Sequence, residues 1–501
     1  MTASDLSEQS AATIWQPTAA DLGPLTIVRL GLFNLGLGLM SVLTVAVLNR
    51  VMISEIGIPG WITAGVVAIP YFVAPARVWF GQLSDARPLF GVHRAGYVWL
   101  GTLTFGLAVF AIVQVVWQLG GAMDAASGWV WNGPITGWTL VLIALFAVYG
   151  LAISASSTPF TAMLVDISDE QTRPRLISVV WSMLMVGIVV GGISGTVLLP
   201  ELPQVLDLAR TGMALGGMST DDFFQQTLAT LQGPLNGIFA LAPLLVLALA
   251  FAATWGIERR YSLFARRSSA GDREDSITLR NALRVLTASR QTGLFFSFLL
   301  VLTLSLFLQE AVLEPYGGQV FAMSLGETTG LNAVWGMGIL VSYALTGFLV
   351  VPRLGKRATT KLGCWLLAVS FALIILAGFT REPGMLKAAM FIFGLAAGVA
   401  TIGAISLMLD LTADEAAGTF IGAWGLSQAL ARAIAIWGGG IILDLGRLLF
   451  SSTLLAYSFV FGLQAVGALV AIAMLDRVSV REFKETTGRA IATAMESELD
   501  G

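Results

Sequence analysis

A chain of 501 residues that is 56% hydrophobic and only 12% charged carries about half the charged fraction of ordinary soluble domains, ~25%, which excludes an aqueous globular fold. A net charge of −3 leaves no basic field for nucleic acid. The single cysteine, Cys364, excludes an intramolecular disulfide, and the single histidine, His93, cannot build a histidine metal centre.

Residues 1–24 hold Asp5, Glu8 and Asp21 and lack a basic start followed by an apolar core, so they read as a cytoplasmic tail rather than a signal peptide. Six apolar stretches long enough to span a bilayer follow, at about 25–53, 60–82, 94–118, 136–158, 174–199 and 235–257. Between the fifth and sixth, Thr220-Asp221-Asp222 reads as the cap of a short helix carrying Phe223, Phe224, Leu228 and Leu231. The linker 258–291 contains eight arginines. Its Ile277, Leu279, Leu283 and Leu286 fall near one helical face, the pattern of a helix lying on the inner membrane surface. Six more stretches lie at about 292–315, 326–350, 359–380, 384–409, 418–443 and 451–475. The chain therefore divides into a first six-helix half (25–257), the linker, a second half (292–476) and a tail (477–501). Lys and Arg concentrate on the linker side of the spans, which puts both termini in the cytoplasm.

The two halves repeat. The fourth span ends Met163-Leu164-Val165-Asp166-Ile167-Ser168, and the tenth ends Leu407-Met408-Leu409-Asp410-Leu411-Thr412; each is followed by an acidic pair and then a tryptophan, Trp181 or Trp424. Duplication of this kind is a transporter pattern. After the second span, Gly81-Gln82-Leu83-Ser84-Asp85 leads to Arg87 and His93-Arg94. Transporters of the major facilitator class carry Gly-x-Leu-(Ala/Ser)-Asp before basic residues at this place. The reading is an all-α major facilitator fold of twelve transmembrane helices in two pseudo-symmetric halves. Its latch is expected to use Gly81 for close packing and Asp85 paired with Arg94 or Arg173, with Asp166 and Asp410 as the repeated acids.

Charges inside spans are candidates for function. Arg432, beside Gln428 in the eleventh span, either fixes a helix end or meets a ligand carboxylate or carbonyl. Asn49 and Arg50 lie near the outer end of the first span, and Gln309, Glu310 and Glu314 near that of the seventh. Opposite charges at these equivalent ends are expected to close the mouth as a pair between the halves, unless they are solvated loop-edge charges. Gly187, Gly191 and Gly195 at four-residue spacing, like Gly394 and Gly398 or Gly418 and Gly422, read as packing faces. Trp129, Trp131 and Trp138 read as an interfacial belt. No nucleophile–histidine set, P-loop or dinucleotide fingerprint is present, so no enzymatic activity is expected.

Several runs are more specific. They include Leu48-Asn49-Arg50-Val51-Met52-Ile53, Glu55-Ile56-Gly57-Ile58-Pro59, Ala74-Pro75-Ala76-Arg77, His93-Arg94-Ala95-Gly96-Tyr97-Val98-Trp99 and Leu313-Glu314-Pro315-Tyr316-Gly317-Gly318. Together they resemble the PucC/LhaA family of photosynthetic membrane proteins, with His93-Arg94-Ala95-Gly96-Tyr97-Val98-Trp99 closer to its cyanobacterial branch. The resemblance implies a facilitator-type fold and a role in assembling light-harvesting or photosystem complexes. It also implies handling of chlorophyll a or a related Mg-tetrapyrrole, or a precursor, as bound cargo in a thylakoid or cytoplasmic membrane. Nascent antenna or photosystem proteins and chlorophyll-synthesis enzymes are the implied partners. For the magnesium, His93 sits at the membrane edge, and Gln309, Glu310, Asn332 and Asn34 are substitutes among which spacing does not choose. An ion-coupled transporter of a small solute and a structural subunit of a photosynthetic complex are the alternative readings.

Overall fold

Apolar runs opened by proline or by a polar cap become helices, and the computed structural model is helical through most of the residues it describes: 22–126, 128–168, 173–198, 220–261, 290–410 and 417–478. Pro24 opens α1 (Pro24–Glu55), where its missing N–H forfeits no hydrogen bond. The second span is broken into α2 (Gly60–Phe72) and α3 (Ala76–Ala86), because Pro70 and Pro75 remove backbone donors around residues 73–75. Then come α4 (Ala95–Ala125), α5 (Gly133–Asp166), α6 (Arg173–Leu198), α7 (Thr220–Thr254) and the short α8 (Ile257–Tyr261). Asn132 starts α5 by accepting from the Ile135 N–H at 2.9 Å.

In the second half α9 (Arg290–Phe307) tightens into a 3₁₀ turn, Leu308–Ala311, before α10 (Leu313–Phe321). A reciprocal capping box between Ser324 and Glu327 starts α11 (Leu325–Leu345), which continues through a π turn, Thr346–Val350, to Leu354. The last four helices are α12 (Lys356–Thr380), α13 (Pro383–Asp410), α14 (Ala417–Leu449) and α15 (Thr453–Leu475). Among the described residues, ten helices are long and apolar enough to cross a membrane. The broken α2–α3 and α11 are the second and eighth spans of the twelve.

The packing scheme repeats when each span is advanced by six. In the first half α4 packs on α5 and α7, α1 on α6 and α7, and α2 on α5. In the second, α12 packs on α13 and α15, α9 on α14 and α15, and α11 on α13. The two halves meet along α2 with α14 and along α11 with α6, which exchange under the same operation. These interfaces run through small residues. A Cβ added at Gly440 would sit 2.3 Å from the Gly60 carbonyl oxygen, and one at Gly192 would sit 2.7 Å from Ala333 N. The first half holds two apolar clusters, one around Phe105, Phe146 and Phe239 and one around Phe33, Val98 and Phe160, and another fills the second half around Phe298, Phe371 and Phe461.

Three expectations change. The helix anticipated at Thr220 is not a separate piece, because its backbone continues through the sixth span as α7. The third span does not end near residue 118 but runs on as helix to Ala125; residues 126–132 between α4 and α5 make a longer connection than residues 381–382 between α12 and α13. The seventh span is not one helix but is interrupted at Leu308–Ala311. The tail before residue 22, the linker helix at 277–286 and the tail after residue 478 lie outside the described residues.

Candidate functional site

The candidate polar residues gather in three places. The first lies where α1 meets α10 and α11. Two π turns, Leu43–Val47 and Val51–Glu55, flank Leu48–Arg50, so the register of α1 is reset on both sides of Asn49 and Arg50. Asn49 donates its amide to the Ala311 carbonyl at 2.8 Å, which ties the 3₁₀ turn of the seventh span to α1. Arg50 is 2% exposed. It donates to Ser324 O and Thr328 Oγ1 at 2.7 Å each and to Met323 O at 2.8 Å. Its Nε lies 3.5 Å from Glu55. The guanidinium lies against Gly318, where a Cβ would come within 2.9 Å of it. Trp61 N donates to Asp444 at 2.8 Å nearby. The Asn49, Arg50 and Trp61 hydrogen bonds to Ala311, Met323, Ser324, Thr328 and Asp444 cross between the halves.

The anticipated Arg50–Glu310 or Arg50–Glu314 pair is therefore replaced. Glu55, only five residues from Arg50, takes that guanidinium, because the π turn brings it round to the same side of α1. Glu314 instead accepts from Asn332 at 2.9 Å. Gln309 is buried within the 3₁₀ turn.

The second place is between the halves, deeper in the membrane. The 3₁₀ turn points Glu310 at α14, where Arg432 holds it in a two-pronged pair, Nε to Oε2 at 2.9 Å and NH2 to Oε1 at 2.5 Å. The guanidinium carbon lies 4.7 Å from the Tyr71 ring centre and 4.3 Å from that of Phe307. Tyr71 comes from α2 of the other half. Gln428, one helical turn before Arg432, donates to Thr303 at 3.3 Å. The Arg432 side chain remains 32% exposed, and Arg77 on α3 lies within electrostatic range of Tyr71 and Arg432. A cation held between two rings, with an amide alongside, can grip a flat ligand and one carbonyl or carboxylate on it. Among the described residues no group of three His, Cys, Asp or Glu is placed to hold a metal ion.

The third place is where the latch is expected, at the opposite end of the first half. Arg94 donates to Asp166 at 3.0 Å and to Ser84 Oγ at 2.6 Å. Asp166 is 3% exposed. Glu258, at the end of the sixth span, accepts the backbone N–H groups of His93, Arg94 and Ala95 at 2.5, 3.0 and 2.8 Å, and so closes the open start of α4. The second half has a related tie. Asp476, after the twelfth span, is bound by Lys361 at the start of the ninth, and Arg357 donates to the Leu475 and Asp476 carbonyls. The Lys361 hydrogen bond and charge hold the Asp476 carboxyl below the usual range. Gly81 is not needed for close packing, since a Cβ there would meet Thr158 at an ordinary 3.6 Å. The side chains of Asp85, Arg173 and Asp410 lie outside the described residues.

Sequence reasoning missed Tyr71, Phe307, Thr328, Ser84 and Glu258 as partners. Glu258 stood next to Arg259 and Arg260 and read as the opening of the linker. Ser84 stood inside the Gly81–Asp85 motif without a role of its own, and Tyr71, Phe307 and Thr328 are common residues of apolar spans that only the packing distinguishes.

A family model described as PUCC protein matches residues 47–483. A Rhodobacter capsulatus protein described as bacteriochlorophyll synthase 44.5 kDa chain is 29% identical, covering 91% of this chain and 96% of that protein. An uncharacterized protein of the puhA-bchM intergenic region of the same organism is 28% identical, covering 87% and 84%. Protein PucC of Rhodovulum sulfidophilum is 26% identical, covering 86% and 88%. Among solved structures, a point mutant of the nucleoside transporter NupG superposes with a TM-score of 0.62 at 11% identity, covering 90% of this chain and 99% of that one. A bacterial homologue of the lysosomal transporter Spinster gives 0.60 at 14% identity, covering 92% and 98%. The likeness to these transporters establishes a major facilitator fold.

Proposed function

We propose, from the premise that the chain belongs to the PUCC protein family, that it is a non-catalytic assembly factor that holds or delivers a chlorophyll-type Mg-tetrapyrrole. Its clients are nascent antenna or photosystem proteins. Family membership and relatives named for bacteriochlorophyll synthase and PucC support the pigment connection. The observation that carries the site is Arg432, partly exposed between the halves and flanked by Tyr71 and Phe307. Chlorophyll a or a precursor is the cargo in this reading, with the aromatic flanks against the macrocycle and Arg432 at a peripheral carbonyl or carboxylate. Gln428, beside Arg432, would supply an amide oxygen as a donor to the pigment's magnesium. The protein works in a photosynthetic membrane with both termini on the cytoplasmic side, where the arginine-rich linker meets pigment-synthesis enzymes.

A second reading, ion-coupled transport of a small solute, is favoured by the fold shared with nucleoside and sugar transporters and by the charge pair between the halves. One experiment separates them: pigment extraction and an absorption spectrum of protein purified in mild detergent from a phototroph. The expected result is co-purified Mg-tetrapyrrole, depleted in Arg432→Gln and in Glu310→Gln. Pigment-free protein that carries a solute flux in vesicles overturns the assignment.

A further inference from the structure

The junction of α1 with α10 and α11 holds a carboxyl with one oxygen unpartnered. Glu314, in the first turn of α10, is 3% exposed. Its Oε1 accepts from Asn332, but its Oε2 is buried without any hydrogen-bond partner. The Asn49 side chain is a hydrogen-bonding neighbour of the same carboxyl, but its amide N–H is directed at the Ala311 carbonyl at 2.8 Å. Two other acceptors of this junction, Asn49 Oδ1 and Gln309 Oε1, are also buried and unpartnered. A carboxylate only accepts, whereas a carboxylic acid brings one O–H donor. An unmet charged acceptor in a dry site is the costliest kind to leave.

The surrounding charges point the same way. Arg50 is the cation of this junction, but its NH1 and NH2 are spent on Ser324, Thr328 and Met323, and its Nε faces Glu55. Glu310, on the preceding turn, adds a like charge and is itself held by Arg432. From α15 the titratable neighbour of this cluster is Tyr457, whose hydroxyl donates to Gln319. Two arginines thus stand among three carboxyls, and the set is neutral when one carboxyl carries a proton. Glu314 is the carboxyl without an arginine partner.

We propose that Glu314 is a proton-binding site, neutral while α1 and α10 are in contact and releasing its proton to water when the halves part at this end. Only the O–H bond of the carboxyl breaks, and water takes the proton. The site works whether or not the molecule carries pigment, so its test uses the full chain in lipid nanodiscs without cargo. Infrared spectroscopy through neutral pH is expected to show a carboxylic-acid C=O band that is lost in Glu314→Gln and shifted in Asn332→Ala, which removes the donor to Oε1. Hydrogen–deuterium exchange of residues 313–321, corrected for intrinsic exchange, is expected to rise several-fold toward alkaline pH in the wild type and to stay flat in Glu314→Gln. An infrared spectrum unchanged by Glu314→Gln, or equal exchange profiles in both proteins, overturns the proposal. So does stabilisation by Na⁺ over K⁺ at fixed pH that Glu314→Gln abolishes, which would make the site a metal-cation site.

Discussion

Removing either partner of the Arg432–Glu310 pair strands a charge between the halves. The pair is two-pronged, with side-chain exposures of 32% and 14%. Breaking a fully buried pair costs about 3–5 kcal/mol; with Arg432 one-third open, solvent screening lowers the expectation to about 2–3 kcal/mol for Glu310→Gln. Arg432→Gln loses the same pair and also the stacking on Tyr71 and Phe307, for which roughly 0.5–1 kcal/mol is added. The double variant strands neither charge, so its loss falls short of the sum by about 1.5–2.5 kcal/mol. Reversible unfolding in mixed micelles measures all three proteins, and pigment retention is read on the same samples. Single-variant losses that simply add, with a coupling below about 0.5 kcal/mol, refute the reasoning that these two side chains act as one unit.

Arg50→Gln removes the cation that serves Met323 O, Ser324 O and Thr328 and that lies beside Glu55; a loss of about 3–5 kcal/mol is expected, with Arg50→Lys in between because an ammonium cannot reproduce the planar fork, both read as thermostability in detergent. Arg94→Gln is expected to cost about 3 kcal/mol by removing the cation that donates to the buried Asp166 and to Ser84, and Asp166→Asn added to it should restore part of that loss. Asp476 supplies the pH test. Its carboxyl is held below its ordinary value of 3.8, chiefly by the Lys361 hydrogen bond, so its contribution is complete above that value and disappears as pH falls through the lowered folded value. The acid limb of the melting curve should accordingly flatten in Asp476→Asn, while stability at neutral pH changes little because the pair is exposed.

The twelve spans, the two-fold repeat and the family were all legible in the chain, because lipid imposes a simple demand: about 20 apolar residues for each crossing, with every backbone group satisfied within the helix. That demand acts locally, so Pro24, the Asp166 and Asp410 repeat and the apolar runs express it without knowledge of neighbours. Asn49, Arg50, Glu310, Glu314 and Arg432 were legible for the same reason, since a polar group in an apolar run is expensive and stands out. Their partners were not. Arg50 turned to Glu55 and to three acceptors at the start of α11 rather than to Glu310. That choice depends on two π turns in α1 and on a 3₁₀ turn that aims Glu310 at α14. Shifts of a fraction of a turn decide which side of a helix a charge faces, and they arise from packing between helices rather than from residue order. For the same reason Tyr71 and Phe307 became flanks of a cation, and Glu258 became the cap of α4, only once helices remote in sequence were brought side by side.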